Sequence, residues 1–449
     1  MKMAREGRFG KPRRQDWPVF LNRLIPATVW KAFWEQVGHG RRADARWSAK
    51  YVVLCWVMTG WSLQGQLCER VRESWEVLAQ LFPRRRRPGR SYQGLLKATS
   101  AVGEGVFGQF WNCLRETIPQ RVGRGWTWYG WVVMAVDGSR IDTARTRSNE
   151  RTLKLAGRAK THPQWWVTVI THLPTNLLWD WRQGPGTSSE KAHLREMLPS
   201  LPASTLLVGD VGFCSFPLLW TLCCSDVDFL VRAASNTTLI SEATRQQIER
   251  VGDHRYVHFW PGRKHGLPPL RLRLIVLKRH GRRVYLLTNV SDSTRLSRSM
   301  ASDLYAARWG IEVGYRSLKQ TLERRKVLAR TPHAGAMELA GNLLALALLM
   351  LQAALLQGAK VVRLSVSKAL HLLRRMLEAV RFGLPSSQFL ANLRRASRDQ
   401  YRRRRPKGAR DWPHKKKERS PSPPLLRRPT EREKTMIDLF WHQIWADYG

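Results

Sequence analysis

Two aspartates stand where strands are predicted to end, and each could hold a metal ion. Asp137 follows the short apolar run at residues 131–136, and Asp210 comes soon after a second apolar run at residues 205–208. A strand that ends in Asp places the carboxylate at the edge of a sheet, where side chains converge on a ligand. Aspartates after strands are also common in plain turns. A site is therefore predicted only if further residues join these two.

A third acid, Glu312, lies on a helix predicted over Asp303 to Leu322. At 100° per residue, one stripe of this helix about 80° wide carries an aromatic residue, three cations and a single acid. The members of this stripe are Tyr305, Arg308, Glu312, Arg316 and Lys319. The neighbouring face carries Leu304, Ile311 and Leu318 and is predicted to pack on the sheet. A solvated helix face usually mixes charges more evenly, so the stripe favours a metal ligand flanked by phosphate-binding groups.

Asp137, Asp210 and Glu312 together could supply the chemistry of a two-metal site. Three carboxylates can hold two Mg²⁺ ions about 3.5–4 Å apart, one beside the attacking oxygen and one beside the leaving oxygen. Mn²⁺ is expected to substitute for Mg²⁺. The cations of the helical stripe can place phosphate groups beside these metals. The set predicts metal-dependent phosphodiester chemistry on a nucleic acid.

The charge of the chain also favours a nucleic-acid partner. Its 449 residues contain 77 Lys and Arg against 34 Asp and Glu, which gives a formal net charge of +43. Part of the excess lies in residues 401–428, but the rest of the chain is basic as well. Such a surface attracts polyanions, of which nucleic acid is the commonest. A generally basic proteome or an association with ribosomes would also explain the charge.

The remaining composition predicts a cytoplasmic, nucleoid-associated protein that does not use a membrane. None of the six cysteines forms a C-x-x-C pair, which disfavours zinc knuckles and disulfide frameworks and suits a reducing cytosol. The basic N-terminus lacks the apolar core of a signal peptide. The apolar stretch at residues 341–357 is interrupted by Asn342 and Gln352 and falls short of the ~20 residues that a bilayer needs. It is predicted to be a buried core helix.

The order of predicted elements indicates an α/β fold, in which short strands and helices alternate after a mainly helical N-terminal region. The segments 165–173 and 177–181 are predicted to form a hairpin around Pro174, Thr175 and Asn176. The predicted organisation is a helical, DNA-binding region at residues 1–125, a catalytic core at 126–232 and 285–395, a β-rich insertion at 233–284, a basic disordered linker at 396–428 and a short helix at 429–449.

The motif Tyr305-x2-Arg308-x3-Glu312-x6-Lys319 resembles the Y-R-E-K signature of the bacterial DDE transposases of the insertion-sequence-four family. The resemblance extends to both aspartate regions. Residues 136–138 are similar to the first aspartate region of that family, and residues 208–213 with 227–232 are similar to the second. It covers about half of the chain, and a β-rich insertion between the second Asp and the Glu fits the same group.

This resemblance implies an RNase H-like catalytic core and a metal-dependent DNA transposase. Asp137, Asp210 and Glu312 would be the catalytic metal ligands, while Tyr305, Arg308 and Lys319 would bind phosphates at the transposon end. In relatives a freed 3′-hydroxyl can form a hairpin before target joining, and a Trp of the insertion stacks on a flipped base. Trp260 is the candidate for that Trp. Two ends joined in one complex would also imply a homodimer on DNA.

Other functions remain open at the level of sequence. A domesticated or inactive relative could keep the acids and only bind DNA. A nuclease of the same fold without strand transfer is a second alternative, although a plain nuclease has no need of the Y-R-E-K stripe. Binding of RNA would explain the charge and leave the acids unexplained.

Overall fold

The structure is a computed structural model that describes residues 16–37, 46–82, 89–103, 105–155, 161–241, 255–260, 267–279, 282–357, 365–384, 389–396 and 422–446. Within these residues, helices surround one extended mixed sheet, as the predicted α/β fold requires. The arginine run at residues 84–87, whose sequence predicts an exposed basic loop, lies outside the described residues.

The N-terminal region is helical, as predicted. It contains helices α1 (Asp16–Leu24), α2 (Ala27–Val37), α3 (Ala49–Trp61), α4 (Leu67–Leu81), α5 (Tyr92–Val102), α6 (Val106–Arg115) and α7 (Ile118–Val122). The hydroxyls of Ser48 and Ser91 cap α3 and α5 by accepting hydrogen bonds from backbone amides of the first turn. Nearly every residue of α3 is buried, because this helix is apolar on all sides and lies inside the core.

The first five strands of the chain form one end of the sheet. They are β1 (Val132–Thr143), β2 (Gln164–His172), β3 (Leu177–Pro185), β4 (Thr205–Gly209) and β5 (Asp228–Arg232). Their order is β3-β2-β1-β4-β5, with β1, β2 and β3 antiparallel and β1, β4 and β5 parallel. This order and these directions are those of an RNase H-like core, so that prediction is confirmed. The predicted hairpin is formed by β2 and β3.

The strands that follow β5 extend the same sheet. They are β6 (Thr238–Ile240), β7 (Arg255–Phe259), β8 (Leu270–Arg279) and β9 (Arg282–Thr288). Strand β9 pairs antiparallel with both β8 and β5 and so joins the insertion to the core. Because one strand serves both, β9 runs across the boundary that the sequence placed at residue 284.

Helices pack on and beside this sheet. After β1 and β3 come α8 (Arg147–Leu153) and α9 (Glu190–Met197), and α10 (Phe216–Cys224) lies between β4 and β5. Beyond the insertion the chain forms α11 (Arg298–Ala307), α12 (Trp309–Arg316), the short strand β10 (Lys326–Val327) and α13 (Pro332–Gln357). The chain continues as α14 (Val366–Arg381) and α15 (Phe389–Ala396).

Helix α13 is the apolar helix predicted for the core. Residues 332–355 are long and apolar enough to cross a membrane, yet 94% of the most apolar window is buried inside the protein. Two glycines let α13 approach α3 closely. A Cβ at Gly60 would lie 2.5 Å from Ala345 Cβ, and a Cβ at Gly341 would lie 3.0 Å from Trp56 Cβ. The backbone contact between these helices therefore depends on glycine.

The predicted disordered linker at 396–428 is wrong at its C-terminal end. Leu425–Arg427 forms strand β11, which pairs in parallel with β6, and α16 (Glu431–Ala446) follows. The Arg427 guanidinium also binds the Glu433 carboxylate. The stretch is basic and rich in proline, so composition alone misses a strand whose pairing partner lies far away in sequence. Residues 397–421 lie outside the described residues.

A buried ionic cluster joins the N-terminal helices to the region after α12. Glu338 on α13 is 1% exposed and accepts hydrogen bonds from the amides of Leu328 and Ala329, and Arg70 Nη1 lies 3.8 Å from Glu338 Oε1. Arg324 donates to the carbonyl oxygen of Thr59 at 3.1 Å. Burial lowers the pKa of Arg324 to about 9 and raises the pKa of Glu338. The charge of Glu338 thus offsets part of the desolvation of both arginines, while the charge of Arg70 opposes that of Arg324.

We expect Glu338→Gln to lower the free energy of unfolding by about 3–5 kcal/mol, because it leaves the buried guanidinium of Arg70 without its counter-charge. Urea unfolding followed by circular dichroism measures this change. The control is Glu431→Gln, which removes the same charge from an exposed pair with Lys434 and should leave the unfolding midpoint in place. Equal midpoints for both variants would show that the buried cluster does not stabilise the fold.

Candidate active site

The parallel pairing of β1 with β4 brings the two predicted aspartates side by side. Val132 pairs with Thr205 and Ala135 pairs with Val208, a constant offset between the two strands. Extended by two residues, this register places Asp210 opposite Asp137. Neighbouring strands lie about 4.8 Å apart, so the two carboxylates start from adjacent positions at one edge of the sheet.

Local hydrogen bonds orient both aspartates. Asp137 Oδ1 accepts from the Gly138 amide at 2.9 Å. Asp210 caps the single 3-10 turn at 211–213, and its Oδ1 accepts from the Val211 amide at 2.8 Å. The Tyr305 hydroxyl donates to Asp210 Oδ1 at 3.3 Å. These contacts leave further oxygen lone pairs of both carboxylates free to bind a cation.

Glu312 reaches the same place from α12. Ile311 and Leu318 are buried, as is Leu304 on α11, so the predicted packing face is confirmed. The predicted single helix is interrupted: α11 ends at Ala307, α12 begins at Trp309, and a π-helical turn at 317–321 follows α12. The interruption leaves Tyr305, Arg308 and Glu312 on the same side of the structure, near Asp210.

Arg308 lies between two of the acids. Its Nη2 atom is 3.9 Å from Asp210 Oδ2 and 3.8 Å from Glu312 Oε1. A second guanidinium, that of Arg232 on β5, has its Nη1 atom 3.7 Å from Asp210 Oδ1. These cations offset part of the repulsion among the carboxylates.

The protonation equilibria of the acids reflect this crowding. Burial raises the pKa of Asp137, and the charge of Asp210 raises it further, while the Gly138 amide and Arg308 oppose the shift. Burial likewise raises the pKa of Glu312, with Asp137 and Asp210 adding to it and Arg308 opposing. The proximity of three carboxylates and their partial burial thus act in the same direction, and a bound cation would reverse both effects.

The structure adds a fourth carboxylate, Glu190, that the sequence analysis missed. Glu190 begins α9, directly after its cap Ser189. A Cβ at Gly138 would lie 2.8 Å from Glu190 Oε2, and a Cβ at Gly212 would lie 2.6 Å from Glu190 Oε1. The carboxylate therefore fits against two glycines that follow the two aspartates. Burial raises the pKa of Glu190, and the charges of Asp137 and Asp210 raise it further.

The two remaining cations of the stripe, Lys319 and Arg316, differ in how exposed they are to solvent. The Lys319 ammonium donates to Ser139 Oγ at 2.7 Å, and burial lowers the pKa of this lysine. Arg316 is exposed, and its charge lowers the pKa of Glu312, so it lies near that acid. Lys319 thus sits against the strand that carries Asp137, and Arg316 faces solvent beside Glu312.

Trp260 lies in a different part of the structure, on the insertion. Its indole N–H donates to the Leu267 carbonyl oxygen at 3.0 Å. The ring lines a cleft of about 530 Å³ together with Cys214, Asn236, Thr237, Thr238, Phe259, Arg427 and Glu433. In the described part of the chain, no contact joins Trp260 to the three acids. Cys214, which lines the cleft, comes four residues after Asp210 in the chain.

The donor set fits a divalent metal. Asp137, Asp210 and Glu312 offer only carboxylate oxygens, the ligands that Mg²⁺ and Mn²⁺ prefer. Across the described residues, no three acids, histidines or cysteines already form a closed metal-binding cluster. Arg308, which lies near both Asp210 and Glu312, would have to turn aside for these carboxylates to converge on a metal.

Comparison with known proteins places this site in a family. The family described as "Transposase DDE domain" matches residues 128–348, which contain Asp137, Glu190, Asp210 and Glu312. The transposase of insertion sequence element IS4 from Escherichia coli (strain K12) is 28% identical over 279 residues. That match spans 58% of this chain and 61% of the relative. A cryo-EM structure of the piggyBac transposase synaptic complex with hairpin DNA aligns over 86% of both chains, with 13% identity and a TM-score of 0.42.

The family match covers the strands, the insertion and the helix on which the acids lie, and the bacterial relative is similar over a longer stretch of chain. Both agree with the Y-R-E-K signature read from the sequence. Residues 128–348 therefore form a DDE transposase domain, and the chain is similar to the transposase of insertion sequence IS4.

Proposed function

We propose that this protein cleaves DNA at the ends of a mobile element and transfers the cut ends into target DNA. The observation that carries the proposal is the shared register of Asp137 and Asp210 on adjacent parallel strands, with Glu312 placed near both by α12. Three carboxylates so placed suit metal-dependent cleavage of phosphodiesters. The family of the chain supports the same reaction.

We assign the metal ligands to Asp137, Asp210 and Glu312, with two Mg²⁺ ions as the cofactor and Mn²⁺ as a substitute. When bound, the metals would polarise the scissile phosphate and lower the pKa of the attacking water or hydroxyl. The strands and the helix that carry these three residues hold their carboxylates in fixed positions.

The cations of the site are proposed to hold DNA rather than to react. Arg308 would release Asp210 and Glu312 to the metals and bind a phosphate at the transposon end, since a guanidinium suits phosphate geometry. Lys319 and Arg316 would bind neighbouring phosphates. The Tyr305 hydroxyl orients Asp210 at 3.3 Å and is close enough to the acids to contact the same DNA.

The roles of Trp260 and of the outer regions belong to the same proposal. Trp260 is the candidate for stacking on a base flipped from the cut end, which would require its indole to leave Leu267. The basic N-terminal helices and residues 396–421 are proposed to bind DNA through phosphates. Transposition joins two ends, so a homodimer on DNA in the bacterial cytoplasm, associated with the nucleoid, is the expected assembly.

We expect Glu312→Gln to reduce metal-dependent cleavage by more than about 100-fold, because it removes one negatively charged oxygen donor from the metal site. The assay uses supercoiled plasmid carrying the DNA that flanks the gene, with Mg²⁺ or Mn²⁺. Glu378→Gln, on the exposed face of α14, is the matched control and should cut like the wild type.

The other possible outcomes of this assay would each indicate a different function for this protein. DNA binding without breaks by the wild type would contradict the enzyme and favour a DNA-binding relic. Breaks at the ends without joined products would favour a nuclease. Breaks of equal rate in wild type and Glu312→Gln would remove Glu312 from the site.

We expect Glu190→Gln to raise the Mn²⁺ concentration for half-maximal cleavage by about 10-fold, because it removes a negative charge that faces Asp137 and Asp210. The measurement is the cleavage rate as a function of Mn²⁺ concentration. Glu196→Gln makes the same change on the exposed side of the same helix and should leave the curve in place. An unchanged curve for Glu190→Gln would exclude a role for this acid at the metal site.

We expect Arg316→Gln to reduce the salt dependence of DNA binding, with the slope of log K against log salt smaller by about one, because one phosphate contact is lost. Binding to the end DNA is titrated at several NaCl concentrations. A slope identical to that of the wild type would show that Arg316 contacts no phosphate.

A further inference from the structure

Tyr315 has a buried hydroxyl that the proposed chemistry does not use. The residue is 8% exposed and lies on α12, one turn after Glu312. Its hydroxyl oxygen is 2.9 Å from the carbonyl oxygen of Asp137 and 2.8 Å from the carbonyl oxygen of Val167. The amide of Val169 also bonds to this hydroxyl. A single side chain of α12 therefore takes part in the backbone hydrogen bonding of two strands.

The position of these contacts along the strands is specific. In the antiparallel pairing of β1 with β2, Asp137 lies opposite Val169 and Ser139 lies opposite Val167. The Tyr315 hydroxyl thus enters the ladder at the residue whose carboxylate is the first proposed metal ligand. The single proton of the hydroxyl is shared between the carbonyl oxygens of Asp137 and Val167. This shared hydrogen bond holds the peptide next to the Asp137 side chain and with it the direction of the carboxylate.

The ring of Tyr315 contributes differently from its hydroxyl. The ring lines a small apolar cavity together with side chains of the sheet, of α12, of the π-helical turn after it and of α13, including Val169, Ile311, Leu318 and Met350. This packing holds α12 on the sheet whether or not the hydroxyl is present, because apolar contacts are not directional. A hydrogen bond is directional and short, so the hydroxyl determines the position of α12 along β1.

We propose that Tyr315 is a positioning residue that sets the separation between the carboxylates of Glu312 and Asp137. The inference rests on the proposed function, because it takes these two acids as metal ligands. Glu312 and Tyr315 are three residues apart and lie on neighbouring positions of one helix face. Fixing the Tyr315 hydroxyl on the Asp137 carbonyl therefore fixes Glu312 relative to Asp137. Metal sites need their ligands held this closely, since a misplacement of about 1 Å can cost about 100-fold in rate.

The test compares Tyr315→Phe with Tyr92→Phe in the full-length protein. Both changes remove one hydroxyl, but the Tyr92 hydroxyl is buried without a hydrogen-bond partner among the described residues. Mn²⁺ binding is measured by paramagnetic resonance with the metal alone, and cleavage is measured at saturating Mn²⁺. We expect Tyr315→Phe to weaken Mn²⁺ binding about 10-fold and to slow cleavage by about 10–100-fold. Tyr92→Phe should match the wild type in both.

A purely structural role for Tyr315 predicts a different pattern. It would lower the thermal midpoint and leave Mn²⁺ affinity unchanged in the folded fraction, which would overturn the proposal. If Tyr315→Phe does not fold, 4-aminophenylalanine in place of Tyr315 keeps the ring and a donor and should retain Mn²⁺ affinity within about 3-fold of the wild type; a loss as large as 10-fold with this residue would also overturn it.

Wild type and Glu312→Gln are included so that the two proposals can fail separately. Mn²⁺-dependent cleavage by the wild type and not by Glu312→Gln upholds the proposed function, and Tyr315→Phe then tests the positioning role alone. Wild-type behaviour of Tyr315→Phe would refute the positioning role while the enzyme stands. If the wild type neither binds Mn²⁺ nor cuts DNA, both proposals are overturned.

Discussion

Carboxylates that share a sheet edge repel one another, and burial adds a desolvation cost to that repulsion. The parallel ladder of β1 and β4 sets Asp137 and Asp210 at one register, and α12 and α9 add Glu312 and Glu190. The pKa values of Asp137, Glu312 and Glu190 are raised, and the nearby cations offset the repulsion among the carboxylates only in part. The fold therefore has to hold the four carboxylates close together against their mutual repulsion. This requirement explains why the surrounding helices are packed so tightly.

Two sets of contacts, formed by segments that are far apart in sequence, make the surroundings of the site rigid. Helix α13 packs against α3 at Gly60 and Gly341, where the backbones come closer than side chains would allow. The cluster around Glu338 then ties the chain after α12 to the N-terminal helices through backbone carbonyls and amides. Both routes lie outside the catalytic sheet, so the N-terminal region acts as part of the support for the acids.

The sequence predicted what depends on short-range pattern and missed what depends on contacts between distant segments. Asp137, Asp210 and the Glu312 stripe were recognisable because an apolar strand or a helical repeat precedes or surrounds each of them. The α/β fold followed from the order of elements, and the RNase H-like core was implied by the resemblance of the Y-R-E-K motif to a known family. Glu190 is an ordinary first residue of a helix until the fold sets it against Gly138 and Gly212. Tyr315 lies between the polar stripe and the apolar face of the helix. Its hydroxyl finds hydrogen-bond partners only once β1 and β2 are paired, and the sequence does not show that pairing.

Strand β11 forms one edge of the extended sheet and covers β6, and its position near residue 425 has a practical consequence. The three residues Leu425–Arg427 cover the hydrogen-bonding groups of β6 that would otherwise face solvent. A chain shortened before Leu425 would present an open edge that can pair with the same edge of another molecule, a common route to aggregation. Poor solubility of such a truncated protein would then report the loss of an edge strand, and it would say nothing about the DNA-binding capacity of the basic segment removed with it.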